Sequence, residues 1–109
     1  MSGLPLTLTP AEAAALLDGP DAPLLIDVRE ESEWNEVHIP GALLIPLSQF
    51  VARQSEIPEG CALIMQCRSG GRSSQAALAL RTAGRANVAN LAGGITDWEA
   101  AGLPVEYGE

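Results

Sequence analysis

Cys67 opens the segment Cys67-Arg68-Ser69-Gly70-Gly71-Arg72-Ser73, and these residue types in this order can do thiol chemistry. The largely apolar run CALIMQC leads into it, and the Ala/Leu-rich run SSQAALALRT leads out of it. Adjacent glycines open backbone conformations that other residues avoid. Successive N–H groups can then turn inward as an anion-binding nest. A helix starting just beyond would add unpaired N–H groups and the positive end of its dipole. A thiol at the mouth of that field loses its proton more readily than a free one, so Cys67 is the candidate nucleophile. Arg68 and Arg72 can steer an anion toward it, and Ser69 and Ser73 bring hydroxyl donors. The alternative for a single cysteine is a buried structural residue at a strand end. The setting between strand, glycine loop and helix favours the nucleophile.

The rest of the composition sharpens this reading. Lysine is absent, and two of the six arginines lie in this one loop, although the formal net charge is −8. Such a charge disfavours nucleic acid and anionic membrane surfaces as partners. A cationic loop on an acidic protein points to a small anion, with surface ion pairing as the alternative use of the arginines. The N-terminus MSGLPLTLTP lacks the basic and apolar regions of a signal peptide, and no run reaches membrane-spanning length. The expectation is a cytoplasmic protein. Its two cysteines are too few for a disulfide framework. Cys61 and Cys67 at the two ends of one strand would lie roughly 20 Å apart, against about 5.5 Å for a disulfide. Cys61 therefore reads as a small apolar residue in or near the core.

To place Cys67 correctly, the chain needs a strand ending there and a helix starting soon after. The 109 residues suit one domain spanning 1–109, and 47% apolar content is enough for a core. PLTL reads as a first strand. TPAEAAALLDG reads as a helix with Thr9 and Glu12 as a capping box, Pro10 in the first turn and Gly19 as the stop. PLLIDV is a continuous apolar run, the pattern of a parallel strand covered on both faces. REESEWNEV suits an acidic surface turn, Ala42–Ile45 a short strand, and SQFVARQ a helix capped by Ser48. CALIMQC is the most apolar strand and belongs at the centre. SSQAALALRTAG is the strongest helix, ending at Gly84. ANVANL is a last strand, GGITDWEAAG a glycine turn into a helix with Trp98 inward, and LPVEYGE a tail. Alternating strands and helices indicate an α/β domain with a parallel sheet. In such sheets ligands bind beyond the carboxyl ends of the strands, which is where Cys67 falls.

Four segments in this order resemble the single-domain rhodanese family of sulfurtransferases. These are LLIDVREESEW, HIPGALLIPL, CRSGGRS and LAGGITDWEAAGLPV, and together they span nearly the whole chain. Val37 stands where that family often has glycine. The resemblance implies a three-layer α/β/α domain around a five-stranded parallel sheet in the order 3-2-4-5-1. It implies that Cys67 is catalytic, taking a sulfane sulfur from a donor such as thiosulfate and holding it as a persulfide. Arg68, Ser69, Gly70, Gly71, Arg72 and Ser73 would then form the substrate-binding loop. The partners implied are a small anionic donor and a cyanide or cellular-thiol acceptor. A protein acceptor, with the chain as a sulfur carrier, is the alternative. No metal or organic cofactor is implied.

Two other functions compete. Cysteine-dependent phosphatases and arsenate reductases place five residues between cysteine and arginine; here four separate Cys67 from Arg72. The tighter loop suits one sulfur atom better than a tetrahedral oxyanion. A non-catalytic module is the third option, and the retained cysteine and glycine loop argue against it. Among the remaining polar residues, His38 precedes an Ile-Pro-Gly turn and reads as structural rather than as a base. Asp27 and Arg29 read as a local brace. Trp34 suits either the pocket or a cover for the acidic turn, and the Glu30–Glu36 cluster either a solvated face or a docking surface for a basic partner.

Overall fold

A central strand must be apolar on both faces, and Leu63–Gln66 is buried at all four positions. It forms β5 of the structure, a computed structural model that describes residues 4–108. In chain order the elements are β1 (Thr7–Leu8), α1 (Pro10–Leu17), β2 (Leu24–Asp27), α2 (Glu31–Glu36), β3 (Val37–His38), β4 (Leu43–Leu44), α3 (Phe50–Arg53), β5, α4 (Gly71–Thr82), β6 (Val88–Leu91), α5 (Gly94–Ala100) and β7 (Glu106–Tyr107). Short 3-10 turns flank α3 at Leu47–Gln49 and Gln54–Glu56.

The main sheet is parallel, in the order β1-β6-β5-β2-β4. Counted along the chain within that sheet this is the expected 3-2-4-5-1. Every side-by-side parallel pair needs a crossover, and the helices supply it while covering both faces. On one face Ala76, Ala77 and Leu80 of α4 and Phe50 of α3 pack with Ile26, Leu63 and Met65. On the other, Ala13 of α1 and Ile95 and Trp98 of α5 pack with Leu25, Ile64 and Leu91. Alternation along β5 therefore sends Met65 and Cys67 toward α4 and Ile64 toward α1 and α5.

The local signals behave as their chemistry requires. Thr9 Oγ1 accepts the Glu12 N–H at 3.2 Å, and Glu12 Oε1 accepts the Thr9 N–H at 2.9 Å, closing the capping box of α1. Trp98 is buried, and its indole N–H donates to the Pro104 carbonyl at 2.7 Å.

Three expectations change. Ser48 caps no helix: α3 is a single turn, and the Ser48 hydroxyl donates instead to Glu30 Oε2 at 3.2 Å. Cys61 lies ahead of β5 rather than in it, half-buried, with its thiol toward the Pro58 carbonyl. The tail is not free. Glu106–Tyr107 pairs antiparallel with Val37–His38, in the register Val37↔Tyr107 and His38↔Glu106. Val37 adopts extended backbone there, φ −160° and ψ 141°, which needs no glycine. Two-residue strands carry no readable alternation, so this small sheet left no pattern in the sequence.

Candidate active site

β5 delivers Cys67 to the carboxyl edge of the sheet, and the chain turns at once into α4. The turn depends on Gly70, whose φ of +107° lies in the left-handed region and which caps α4. That conformation aims the Gly70 N–H at Cys67 Sγ, 3.0 Å away. Gly71 plays a different part. Its φ is ordinary, and a Cβ there would meet nothing within 4 Å, so it leaves open space at the first turn of the helix.

Cys67 is 1% exposed. Burial pushes its pKa up, but the Ser73 hydroxyl and amide and the Gly70 and Ser69 amides together bring it below the ordinary thiol value. This is the anion nest in operation: donors are fixed by the backbone and need no rearrangement to receive negative charge. The Ser73 hydroxyl lies 3.4 Å from the sulfur and 2.5 Å from Asn90 Oδ1, so one proton faces two acceptors. Asn90 is itself oriented by donating from Nδ2 to the Gly70 carbonyl at 3.3 Å.

A second element clamps the loop from behind. The Ile95 and Thr96 amides, in the first turn of α5, donate to the Cys67 and Arg68 carbonyls at 2.9 and 3.1 Å. Gly94 makes this approach possible. With φ +58°, a Cβ on it would sit 2.3 Å from the Cys67 carbonyl oxygen.

The two loop arginines diverge. Arg68 is exposed, and its guanidinium makes no ion pair among the described residues. Arg72 is engaged end-on with Glu33 of α2, Nη1 to Oε1 at 2.7 Å and Nη2 to Oε2 at 2.9 Å. That contact holds the Glu33 carboxyl down at about 2. Of the two arginines expected to meet an anion, Arg68 is thus unpaired among the described residues and Arg72 is paired with Glu33.

Most of the chain has a counterpart among known proteins. The rhodanese-like domain model matches residues 9–101. The chain belongs to the rhodanese-like family.

A sulfurtransferase of Allochromatium vinosum is 43% identical over 82 residues, covering 75% of this chain and 77% of that protein. A putative sulfur carrier protein of Bacillus subtilis is 35% identical over 82 residues. The match takes in 75% of this chain but only 44% of that relative. The chain thus spans most of one relative and under half of the other. Among solved structures, a rhodanese-related protein of Thermoplasma volcanium superposes with a TM-score of 0.84 at 26% identity, covering 92% of this chain and 96% of that one.

Within this rhodanese-like domain the other polar residues brace the site. Asp27 and Arg29 form a buried ion pair, Nη2 to Oδ2 at 2.9 Å, with Nε also facing both carboxylate oxygens. Arg29 Nη2 reaches on to the Val37 carbonyl at 2.6 Å, tying β2 to the end of α2. His38 stacks flat on Trp34, centroids 4.0 Å apart. Its Nδ1 lies 3.0 Å from the Trp34 carbonyl and its Nε2 3.1 Å from Glu106 Oε1. The ring thus joins the small sheet to α2, and neither of these two contacts goes to the Cys67–Ser73 loop. Gln66, immediately before Cys67, is wholly buried, and among the described residues neither of its amide side-chain atoms has a hydrogen-bond partner.

Glu33, Asn90 and the Gly94–Thr96 turn were not legible as parts of the site. Glu33 was hidden in a run of acidic residues, and Asn90 in an apolar strand. The Gly93–Gly94 pair was the one usable signal, since paired glycines mark close backbone approach as well as turns.

Proposed function

We propose that this chain moves a sulfane sulfur from a donor to a thiophilic acceptor through a persulfide on Cys67. The observation that carries this reading is the Gly70 N–H held 3.0 Å from the Cys67 sulfur by a left-handed glycine. A thiolate so supported attacks the outer sulfur of a donor such as thiosulfate. The new S–S bond forms on Cys67, the donor's S–S bond breaks, and sulfite leaves with the electron pair. The terminal sulfur of the persulfide is anionic and needs hydrogen-bond donors, which the backbone amides from Arg68 to Ser73 can supply. A cyanide or thiol acceptor then removes that sulfur and restores the Cys67 thiolate. The two half-reactions share one site and predict ping-pong kinetics. A Cys67 that is already ionised needs no separate base, and the donors around it favour that form.

Sulfur carriage to a protein acceptor is the second reading. It is supported by the likeness to a putative sulfur carrier protein. Arg68 and Ser69, exposed next to Cys67, are the loop residues that a protein acceptor would meet first. A phosphatase or arsenate reductase is less well supported. Phosphoryl chemistry asks the loop arginine to hold the oxyanion, and Arg72 is committed to Glu33.

Intact-protein mass spectrometry after incubation with thiosulfate tests the proposal. A gain of one sulfur atom is expected in the wild type and in Cys61→Ser, and none in Cys67→Ser. Loading that survives in Cys67→Ser would refute the assignment of the nucleophile. Phosphate-ester hydrolysis that disappears in Cys67→Ser would revive the phosphatase reading.

A further inference from the structure

The charges around Cys67 are balanced in an unexpected way. Of the two loop cations, Arg72 is neutralised by Glu33 through two parallel N–H···O contacts. Arg29, the other arginine at this edge, is neutralised by Asp27 in the interior. Arg68 alone remains, exposed on the rim.

Glu33 is not a side chain that can swing aside when an anion arrives. Its Oε1 also accepts the Glu30 backbone N–H at 3.0 Å, so the carboxylate is gripped by its own helix as well as by Arg72. With its pKa near 2 it stays ionised at any ordinary pH. A fixed negative charge therefore stands beside the cation that an incoming donor would use. The attacking group is itself an anion. Thiosulfate brings two negative charges to this place, whereas an alkyl persulfide or a thiosulfonate brings one on its sulfur-bearing end.

We infer that Glu33 is a specificity-determining residue: by occupying Arg72 it selects sulfur donors with a single negative charge at the sulfane end over the dianion thiosulfate. This rests on the sulfur-transfer reading above and deepens it by naming the donor class.

Methanethiosulfonate isolates the effect because its chemistry parallels that of thiosulfate. The Cys67 thiolate attacks the outer sulfur of either donor, and the S–S bond to the sulfonyl sulfur breaks. Methanesulfinate or sulfite leaves with the electron pair, and net charge is conserved in each case. Glu33→Gln removes the charge but keeps a carbonyl oxygen for the Glu30 amide and for Arg72. Coulomb energy scales with the charge on the donor, so the gain for a dianion is the square of the gain for a monoanion. At low ionic strength, with cyanide as acceptor, Glu33→Gln should raise kcat/KM for thiosulfate about tenfold and for methanethiosulfonate about threefold. Added salt should shrink the advantage of Glu33→Gln over the wild type, and shrink it more for thiosulfate than for methanethiosulfonate.

Equal factors for the two donors, or no change with either, would overturn the inference while leaving sulfur transfer standing. Failure of both donors to load sulfur on wild-type Cys67 would overturn the parent reading and this one with it. Should Glu33→Gln not fold, the double variant Glu33→Gln/Arg72→Gln, which leaves neither charge unpaired, decides: its thiosulfate-to-methanethiosulfonate ratio should stay at the wild-type value, and a fall in that ratio would show that Arg72 binds the donor despite Glu33 and overturn the inference.

Discussion

The Ile95 amide donates to the Cys67 carbonyl at 2.9 Å, so the backbone of the candidate nucleophile is held by α5, an element 28 residues away in the chain. The approach is close because Gly94 has no side chain. Gly94→Ala would push a methyl against the Cys67 carbonyl, 2.3 Å away, and force φ +58° on a residue that avoids it. Loading of sulfur on Cys67 should fall by more than tenfold, with a loss of stability of about 1–3 kcal/mol. Stopped-time mass spectrometry and thermal melts check both. Wild-type loading at an unchanged Tm would contradict the clamp.

The acidity of Cys67 should be visible in its alkylation. With its pKa lowered, the thiolate fraction survives to lower pH than in a free cysteine and is lost only as pH falls through the lowered value. In a Cys61→Ser background, the rate of reaction with iodoacetamide should reach half its plateau below the ordinary thiol value of 9.0. Ser73→Ala should move that midpoint upward, because the variant loses a hydroxyl donor that faces the sulfur. A midpoint that moves down on losing the hydroxyl would rule out its role as a donor to sulfur.

Arg29 is the residue whose loss should cost most stability at this edge. Asp27 is 0% exposed, and among the described residues Arg29 is its one cationic partner. Arg29→Met keeps much of the bulk but leaves a carboxylate buried without its counter-charge, at a cost of about 3–5 kcal/mol. Urea unfolding measures this. A loss below about 1 kcal/mol would mean that the pair is not needed to hold β2 against α2.

Gln66 predicts a change of the opposite sign. A buried amide with no partner is destabilising by about 1–3 kcal/mol, and methionine has nearly the same shape without the polar atoms. Gln66→Met should therefore raise the unfolding free energy. A clear loss of stability would show that the amide is hydrogen-bonded in solution, for instance through a buried water.

Much of this domain was legible because its signals are local. The capping box at Thr9 and Glu12 needs only three residues of spacing. The two-sided burial of β2 and β5 shows directly as apolar runs. The Cys67–Ser73 segment announces a nest because glycine placement, strand end and helix start all lie within seven residues. The fate of Arg72 could not be read the same way. Any of several glutamates was a possible partner, and only the packing of α2 over the loop selects Glu33, 39 residues earlier. The β3–β7 pair was invisible for a related reason, since two residues are too few to show a period.

The sequence by itself determined the cysteine, the glycine hinge and the α/β layering, since each follows from short-range chemistry that no distant contact has to supply. Tertiary structure decided how the site is charged and held. It cancelled one arginine with Glu33, left Arg68 exposed, and anchored the Cys67 carbonyl on α5. The physical reason is that ion pairing and close backbone approach depend on distance in space, which a linear chain sets only after it has folded.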